Sequence, residues 1–219
     1  MEINSDPLET VNLVGREIRS GTRDGEPTKI AVARRRYSAE RPDVWDALTN
    51  PERLPRWFMP VEGDLSVGGR YQLEGNAGGV IESCTEPEGF NVTWEYGGQV
   101  SWLQVKLSDT GRGTLLELTH EAHVDRDFWE QFGPGATGVG WDLGLHGLDQ
   151  HLTSGADLDP TAAEAWTLSP EGKRFIRSAA EHWAEAAVGD GDDPEQARSA
   201  AERTVAFYTT PPEAADQEG

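Results

Sequence analysis

His120 is the residue of this chain whose type and position most favour acid–base chemistry. It follows Leu116 and Leu118 at every second position, so it continues the apolar side of a predicted strand. A buried histidine that reaches a ligand can donate or accept a proton near neutral pH. More often, a histidine in such a pattern is only hydrogen-bonded in the core, and no second titratable group is placed with it. The sequence therefore assigns no catalytic residue and keeps His120 as a candidate.

Asp142, His146 and Asp149 have a spacing that a metal site can use. Their i, i+4 and i+7 positions align two carboxylates and an imidazole along one side of a predicted helix. They flank the apolar stripe of that helix, so the alternative is a solvated acidic surface in a protein whose net charge is −20. We predict no metal site here.

The glycine-rich segment 133–138 matches the GxGxxG pattern of dinucleotide-binding proteins in sequence, but it lacks the structural context of that motif. That motif needs an apolar strand before it, inside a βαβ unit, whereas the segment DFWEQF precedes it here. We predict a loop and a helix start at this segment, and no cofactor.

The charge and composition of the 219-residue chain exclude several classes of function. Acidic residues number 39 against 19 basic ones, so phosphate backbones and anionic lipids are repelled and we predict no nucleic-acid and no membrane partner. The single cysteine, Cys84, rules out an internal disulfide framework. The N-terminal segment MEINSDPLET lacks the basic and apolar regions of a signal peptide. A cytoplasmic location is therefore expected.

Hydrophobic periodicity predicts the elements that would position these residues. Residues 1–10 are expected to be a flexible terminus. An opening hairpin follows, with arms 11–19 and 28–37 joined by a long loop, and its arginines 34–36 are expected to reach solvent. Two short helices come next. The antiparallel meander then has predicted strands at 70–75, 80–85, 90–96, 100–107 and 115–122.

Amphipathic helices make up the rest of the chain. A long helix over 138–152 carries an apolar stripe that can cover one side of the sheet, and Ser154-Gly155 is a plausible stop. Two further helices begin near 169 and 193. We expect Trp102, on the outer side of the sheet, to lie under the tail residues Trp166, Phe175 and Trp183; the alternative is an exposed tryptophan that binds a partner.

Assembled, this order is an α+β helix-grip fold, in which an antiparallel curved sheet wraps a long helix and a helical tail follows. The motifs WDALTNPERLPRWF (45–58), GGRY (68–71), VTWE (92–95), LTH (118–120) and GW (140–141) resemble the SRPBCC superfamily, in the branch named for the C-terminal domain of the activator of heat-shock-protein-90 ATPase. The resemblance predicts a helix-grip domain over residues 11–155. An acidic helical extension over 156–219 is similar to that of some bacterial members.

The resemblance also implies a cavity between the sheet and the long helix, which many members of the superfamily use for lipid, sterol, polyketide or hormone ligands. Aromatic and aliphatic side chains on the inner faces of the predicted elements are expected to line it and to contact a ligand: Trp57, Phe58, Tyr71, Leu73, Val92, Trp94, Tyr96, Leu103, Val105, Leu116, Leu118, His120, Trp141, Leu145 and Leu148. The alternative is that these side chains simply fill a packed core.

Three functions are compatible with this sequence. The leading one is binding of a small hydrophobic or aromatic ligand in the cavity. The second is a cyclase- or dehydratase-like enzyme that uses His120 with Tyr71 or Glu82, the last of which shares a strand face with Cys84. The third is a protein-interaction module that activates a chaperone ATPase or forms a homodimer. The tail is a lid, a dimer arm or a passive cover.

Overall fold

Eight antiparallel strands form one curved sheet in the computed structural model, which describes residues 7–211. In chain order the strands are β1 (Gly15–Arg23), β2 (Glu26–Tyr37), β3 (Val61–Gly63), β4 (Arg70–Leu73), β5 (Gly78–Thr85), β6 (Gly89–Tyr96), β7 (Gln99–Asp109) and β8 (Thr114–His123). Their order across the sheet is β1-β2-β8-β7-β6-β5-β4-β3. The predicted meander is therefore present, and the opening hairpin joins it by pairing β2 with β8.

Seven α-helices accompany the sheet within the described residues. They are α1 (Pro7–Asn12), α2 (Arg41–Thr49), α3 (Arg126–Phe132), α4 (Gly135–Ser154), α5 (Pro160–Leu168), α6 (Pro170–Gly189) and α7 (Pro194–Thr209), with a 3₁₀ turn at Leu54–Arg56. Helix α4 ends at Ser154 and is capped by Gly155, whose φ of 68° provides the left-handed stop predicted for it. None of these helices is long and apolar enough to cross a membrane.

The α+β helix-grip fold is confirmed, but the start of the chain differs from prediction. Residues 7–12 form α1 rather than a flexible terminus or a strand, and Val11 is fully buried. Residues 1–6 of the predicted terminus lie outside the described part of the chain. The hairpin loop is tight rather than long, because Asp24 and Gly25 both adopt positive φ and turn the chain in two residues.

Helix α4 is buried on two sides. Leu145 and Leu148 face the sheet, whereas Asp142 and His146, expected at a solvated surface, are covered by the tail. The indole of Trp183 in α6 is fully buried and donates a hydrogen bond of 2.8 Å to the Asp142 carboxylate. The tail therefore packs on the far side of α4.

Two surface predictions are corrected by this packing. Trp102 does not lie under the tail; its ring contacts His123 and the Arg23 guanidinium on the outer side of the sheet. Arg35 does not reach solvent, because residues 34–36 alternate across the sheet and the middle one points inward. It is 2% exposed, pairs with Asp149 at 2.8 Å and donates to the Leu145 carbonyl.

Candidate ligand-binding cavity

A cavity of about 200 Å³ lies between the inner face of the sheet and helix α4. Helix α2 and the 3₁₀ turn contribute the remaining wall. The side chains around it are almost all aliphatic or aromatic: Leu48, Thr49, Leu54, Trp57, Phe58, Val61, Leu65, Tyr71, Leu73, Ile81, Cys84, Phe90, Val92, Trp94, Leu103, Val105, Leu116, Leu118, Trp141, Leu145 and Leu148, with Gly144 on the helix. The exposed Leu65 and Cys84 mark the rim.

The polar groups of the wall are mostly satisfied by the protein itself. The Trp57 indole donates to the Ala47 carbonyl at 2.8 Å, and the Tyr71 hydroxyl donates to the Thr93 carbonyl at 2.8 Å. Burial raises the pKa of Tyr71, so its hydroxyl stays neutral. Among the described lining residues none is a His, Asp, Glu, Lys or Arg. The cavity therefore favours an uncharged, apolar occupant.

The predicted lining residues lie in this wall, with the exceptions of Tyr96 and His120. Tyr96 is the last residue of β6, next to the Gly97-Gly98 turn, and it is 61% exposed. His120 is separated from the cavity by Trp94 and Trp141, whose rings lie 6.2 and 5.7 Å from its own. It borders a smaller cavity of about 90 Å³ instead.

His120 is held in a continuous chain of hydrogen bonds within the protein. The Trp141 indole donates to its Nδ1 at 3.0 Å, so Nε2 carries the proton and donates to Ser101 at 2.7 Å. The Ser101 hydroxyl then donates to the Trp94 carbonyl. Burial lowers the pKa of His120 to about 4. The imidazole is therefore neutral near pH 7 with both nitrogens occupied, which is the arrangement of a structural histidine.

Glu82 and Cys84 do not share a face. A β-bulge between Ile81 and Ser83 shifts the register of β5, so Ile81 and Cys84 both reach the cavity while Glu82 is exposed. Burial, together with the Glu86 carboxylate, raises the pKa of the Cys84 thiol. The simple alternation used in the prediction fails at such an insertion.

Asp142, His146 and Asp149 point away from the cavity and have separate partners. Asp142 accepts two hydrogen bonds of 3.0 Å from Arg16, and both side chains are almost fully buried. His146 contacts Thr10 and stacks on Trp166 at 5.2 Å. No group of three His, Cys, Asp or Glu residues within 7–211 is placed to hold a metal ion. The aligned residues therefore join α4 to β1 and β2 through Asp142 and Asp149, and to α1 and α5 through His146.

Several lining residues were not predicted. Leu48 and Leu54 belong to apolar faces of the short helical elements, so the periodicity offered a signal for them. Val61 and Leu65 lie in β3 and the loop after it, where three paired residues are too few for a pattern. Gly144 has no side chain, and no hydrophobicity pattern could have marked it.

Comparison with known proteins agrees with the fold and assigns the sequence to a family. The family model described as "Activator of Hsp90 ATPase homolog 1-like protein" matches residues 38–153. The crystal structure of CalU16 from Micromonospora echinospora is 32% identical, with a TM-score of 0.64, and the match covers 79% of this chain and 97% of CalU16. The solution structure of CalU16 gives 31% identity, a TM-score of 0.69 and coverage of 81% and 97%.

The match to CalU16 covers a larger part of the chain than the family model does. It covers 79% of the chain, whereas the family model matches residues 38–153. EF2215 from Enterococcus faecalis, at 18% identity and a TM-score of 0.57, covers 81% of this chain and 92% of its own and shares the fold alone. No curated protein matches the sequence significantly. The chain belongs to the family of activator of Hsp90 ATPase homolog 1-like proteins, of the SRPBCC type.

Proposed function

We propose that this protein binds a compact, uncharged apolar ligand in the cavity between the sheet and α4. The observation that carries the proposal is the apolar wall around about 200 Å³ of space. An apolar cavity of roughly 150 Å³ in a protein core is large enough to bind benzene or xenon. The space here accommodates an aromatic ring system or a short alkyl chain, with the exposed rim at Leu65 and Cys84 as the entrance.

The size and the apolar lining of the space support a binding role over a merely imperfect core. The wall offers few polar partners, so water is poorly held inside it and an apolar ligand can displace it. A core kept only for stability would be closed by larger side chains, as protein interiors normally are.

The enzymatic alternative lacks the groups it needs. A cyclase or dehydratase requires an acid and a base that reach the substrate, and among the described wall residues Tyr71 and Cys84 alone titrate. Tyr71 is committed to the Thr93 carbonyl, and His120 is closed off by two indoles. These arrangements favour binding without chemistry.

The net charge supports an uncharged ligand, and the cysteine supports a reducing compartment for this function. With a net charge of −20, an uncharged ligand approaches more readily than an anion does. The free, exposed Cys84 thiol suits a reducing compartment such as the cytoplasm.

The function is tested by binding of N-phenyl-1-naphthylamine, a neutral probe that fluoresces in apolar surroundings. We expect saturable binding of one probe per chain. The Val105→Trp variant, which fills the cavity from β7, should lose it, whereas the matched control Gln104→Trp, on the outer side of the same strand, should retain it.

Native mass spectrometry of the purified protein, followed by denaturing extraction, then identifies any compound that is carried along. A discrete apolar compound that is lost in Val105→Trp would support the proposal. No saturable binding of the probe by the wild-type protein, together with an empty protein in the mass spectrum, would overturn it.

A further inference from the structure

We propose that Gly144 determines which ligands fit, and that the preferred ligand is a planar aromatic compound lying against the α4 backbone at this glycine. The inference rests on the proposed function, because it concerns the same cavity. It follows from a comparison of the five glycines of α4 and from the aromatic side chains that surround this one.

Four of the five glycines in α4 are explained by close contacts with neighbouring elements. A Cβ added at Gly135 would lie 2.5 Å from Thr204, and one added at Gly138 would lie 2.4 Å from the Trp183 ring. The corresponding distances are 3.1 Å to the Tyr208 hydroxyl for Gly140 and 3.2 Å to the Trp57 carbonyl for Gly147. At these positions any side chain crowds its neighbour.

Gly144 has no such neighbour. The nearest atom to an added Cβ is Cε2 of Phe58, at 3.8 Å, which is an ordinary van der Waals distance. Its backbone does not need glycine either, because its φ is not positive. Glycine within a helix is less favourable than alanine, so neither packing nor backbone geometry accounts for it. Gly144 is part of the cavity wall, so the absence of a side chain there leaves space open in the cavity.

The groups on either side of Gly144 are aromatic. Phe58 lies across from it, with Trp57 packed against Phe58 at 5.4 Å. Trp141 precedes it by about one helical turn and contacts Trp94 edge-to-face at 5.1 Å. Aromatic rings prefer offset-stacked or edge-to-face partners. A flat ring between these two pairs, over the bare backbone of α4, gains such contacts, whereas an alkyl chain does not.

The test compares naphthalene with heptane, two volatile apolar probes whose bound amounts are read by headspace gas chromatography over protein solutions. We expect the wild-type protein to bind naphthalene more tightly than heptane. Gly144→Ala should weaken naphthalene binding by about tenfold, since overfilling a packed site has a cost of this order. Gly144→Leu should abolish it.

The matched controls are Gly189→Ala and Gly189→Leu, at the last residue of α6, where an added Cβ meets nothing within 4 Å. They should bind naphthalene as the wild type does. Melting temperatures show that each variant is folded, and Gly144→Ala should melt no lower than the wild type because it removes a helical glycine. If Gly144→Leu does not fold, the alanine variant alone decides.

Each outcome separates the two proposals. If the wild-type protein binds neither probe, the proposed function fails. If it binds naphthalene and both Gly144 variants bind it equally well, the function stands and the role of Gly144 is wrong. If the wild type prefers heptane, the planar aromatic ligand is wrong.

Discussion

The His120 hydrogen-bond chain makes the stability of the protein depend on pH. In the folded protein the imidazole stays neutral down to a pKa of about 4 because it is buried, whereas in an unfolded chain a histidine titrates near 6.5. The unfolded state therefore binds more protons between these values, and the stability rises with pH across this window. The contribution of His120 is fully present above about pH 6.5 and is lost as the pH falls toward 4.

We expect this contribution to amount to roughly 3 kcal/mol between pH 7 and pH 4. The measurement is urea unfolding of the wild type and of His120→Gln at several pH values. His146, whose pKa burial also lowers to about 4, is present in both proteins and cancels in the difference. The variant should be less stable at pH 7 and should lose less on acidification. Parallel pH profiles for the two proteins would contradict the account.

At the same scale, individual residues show what a sequence pattern leaves undetermined. Alternation placed His120 on the inner side of its strand, yet whether an inner residue touches a cavity depends on which rings stand in front of it. Asp142 and Arg35 were predicted to be exposed to solvent because they are charged. Each is buried because a partner from a distant segment, Arg16 for Asp142 and Asp149 for Arg35, supplies the opposite charge.

The contact between α4 and α6 fastens the tail to the rest of the fold. The Trp183 ring lies over the bare backbone at Gly138, where an added Cβ would come within 2.4 Å of it. Since the ring is fully buried and donates a hydrogen bond to Asp142, it has little room to move. Gly138→Ala should therefore destabilise the protein by about 1–3 kcal/mol, the usual cost of overpacking.

Gly189→Ala is the matched control for this substitution, because nothing lies within 4 Å of its added Cβ. It should leave the free energy of unfolding unchanged or raise it by up to about 1 kcal/mol, the difference in helix propensity. Both variants are compared by urea unfolding followed by circular dichroism. Equal stabilities of the Gly138 and Gly189 variants would mean that α6 does not pack closely on α4 in solution.

Elements were predictable where the hydrophobic period is sustained. Strands β4 to β8 and helices α4, α6 and α7 repeat their pattern over enough residues to be recognised. The missed elements, β3, α1, α3 and α5, have between three and nine residues, and their conformation depends on what they pack against. The bulge in β5 is a further case, since one extra residue reverses the faces after it.

At the scale of the whole molecule, the order of elements predicted the fold and most of the cavity wall, but not the cavity itself. A void is the difference between the space enclosed by the elements and the volume of the side chains that enter it. That difference depends on distances between elements far apart in the chain, such as Phe58 and Gly144. Sequence alternation determines which side chains face inward and is silent about how closely they meet.

The net charge of −20 gives the protein as a whole a preference among apolar ligands. A surface potential of a few kT disfavours an anion by roughly tenfold relative to a neutral molecule of the same shape. N-phenyl-1-naphthylamine and its sulfonated analogue, 8-anilinonaphthalene-1-sulfonate, form such a pair. At about 10 mM salt the Debye length is about 30 Å, so the field of the protein is only weakly screened. Under these conditions the neutral probe should bind at least tenfold more tightly than the sulfonate, as measured by fluorescence titration.

Salt separates the field of the whole molecule from the local chemistry of the cavity. Raising the ionic strength to about 0.15 M shortens the screening length to about 8 Å, so the affinity for the sulfonate should increase while that for the neutral probe stays constant. A gap that salt does not change would instead arise inside the cavity, where a sulfonate meets an apolar wall without a partner for its charge. Equal affinities at low salt would show that neither the charge nor the wall selects against anions.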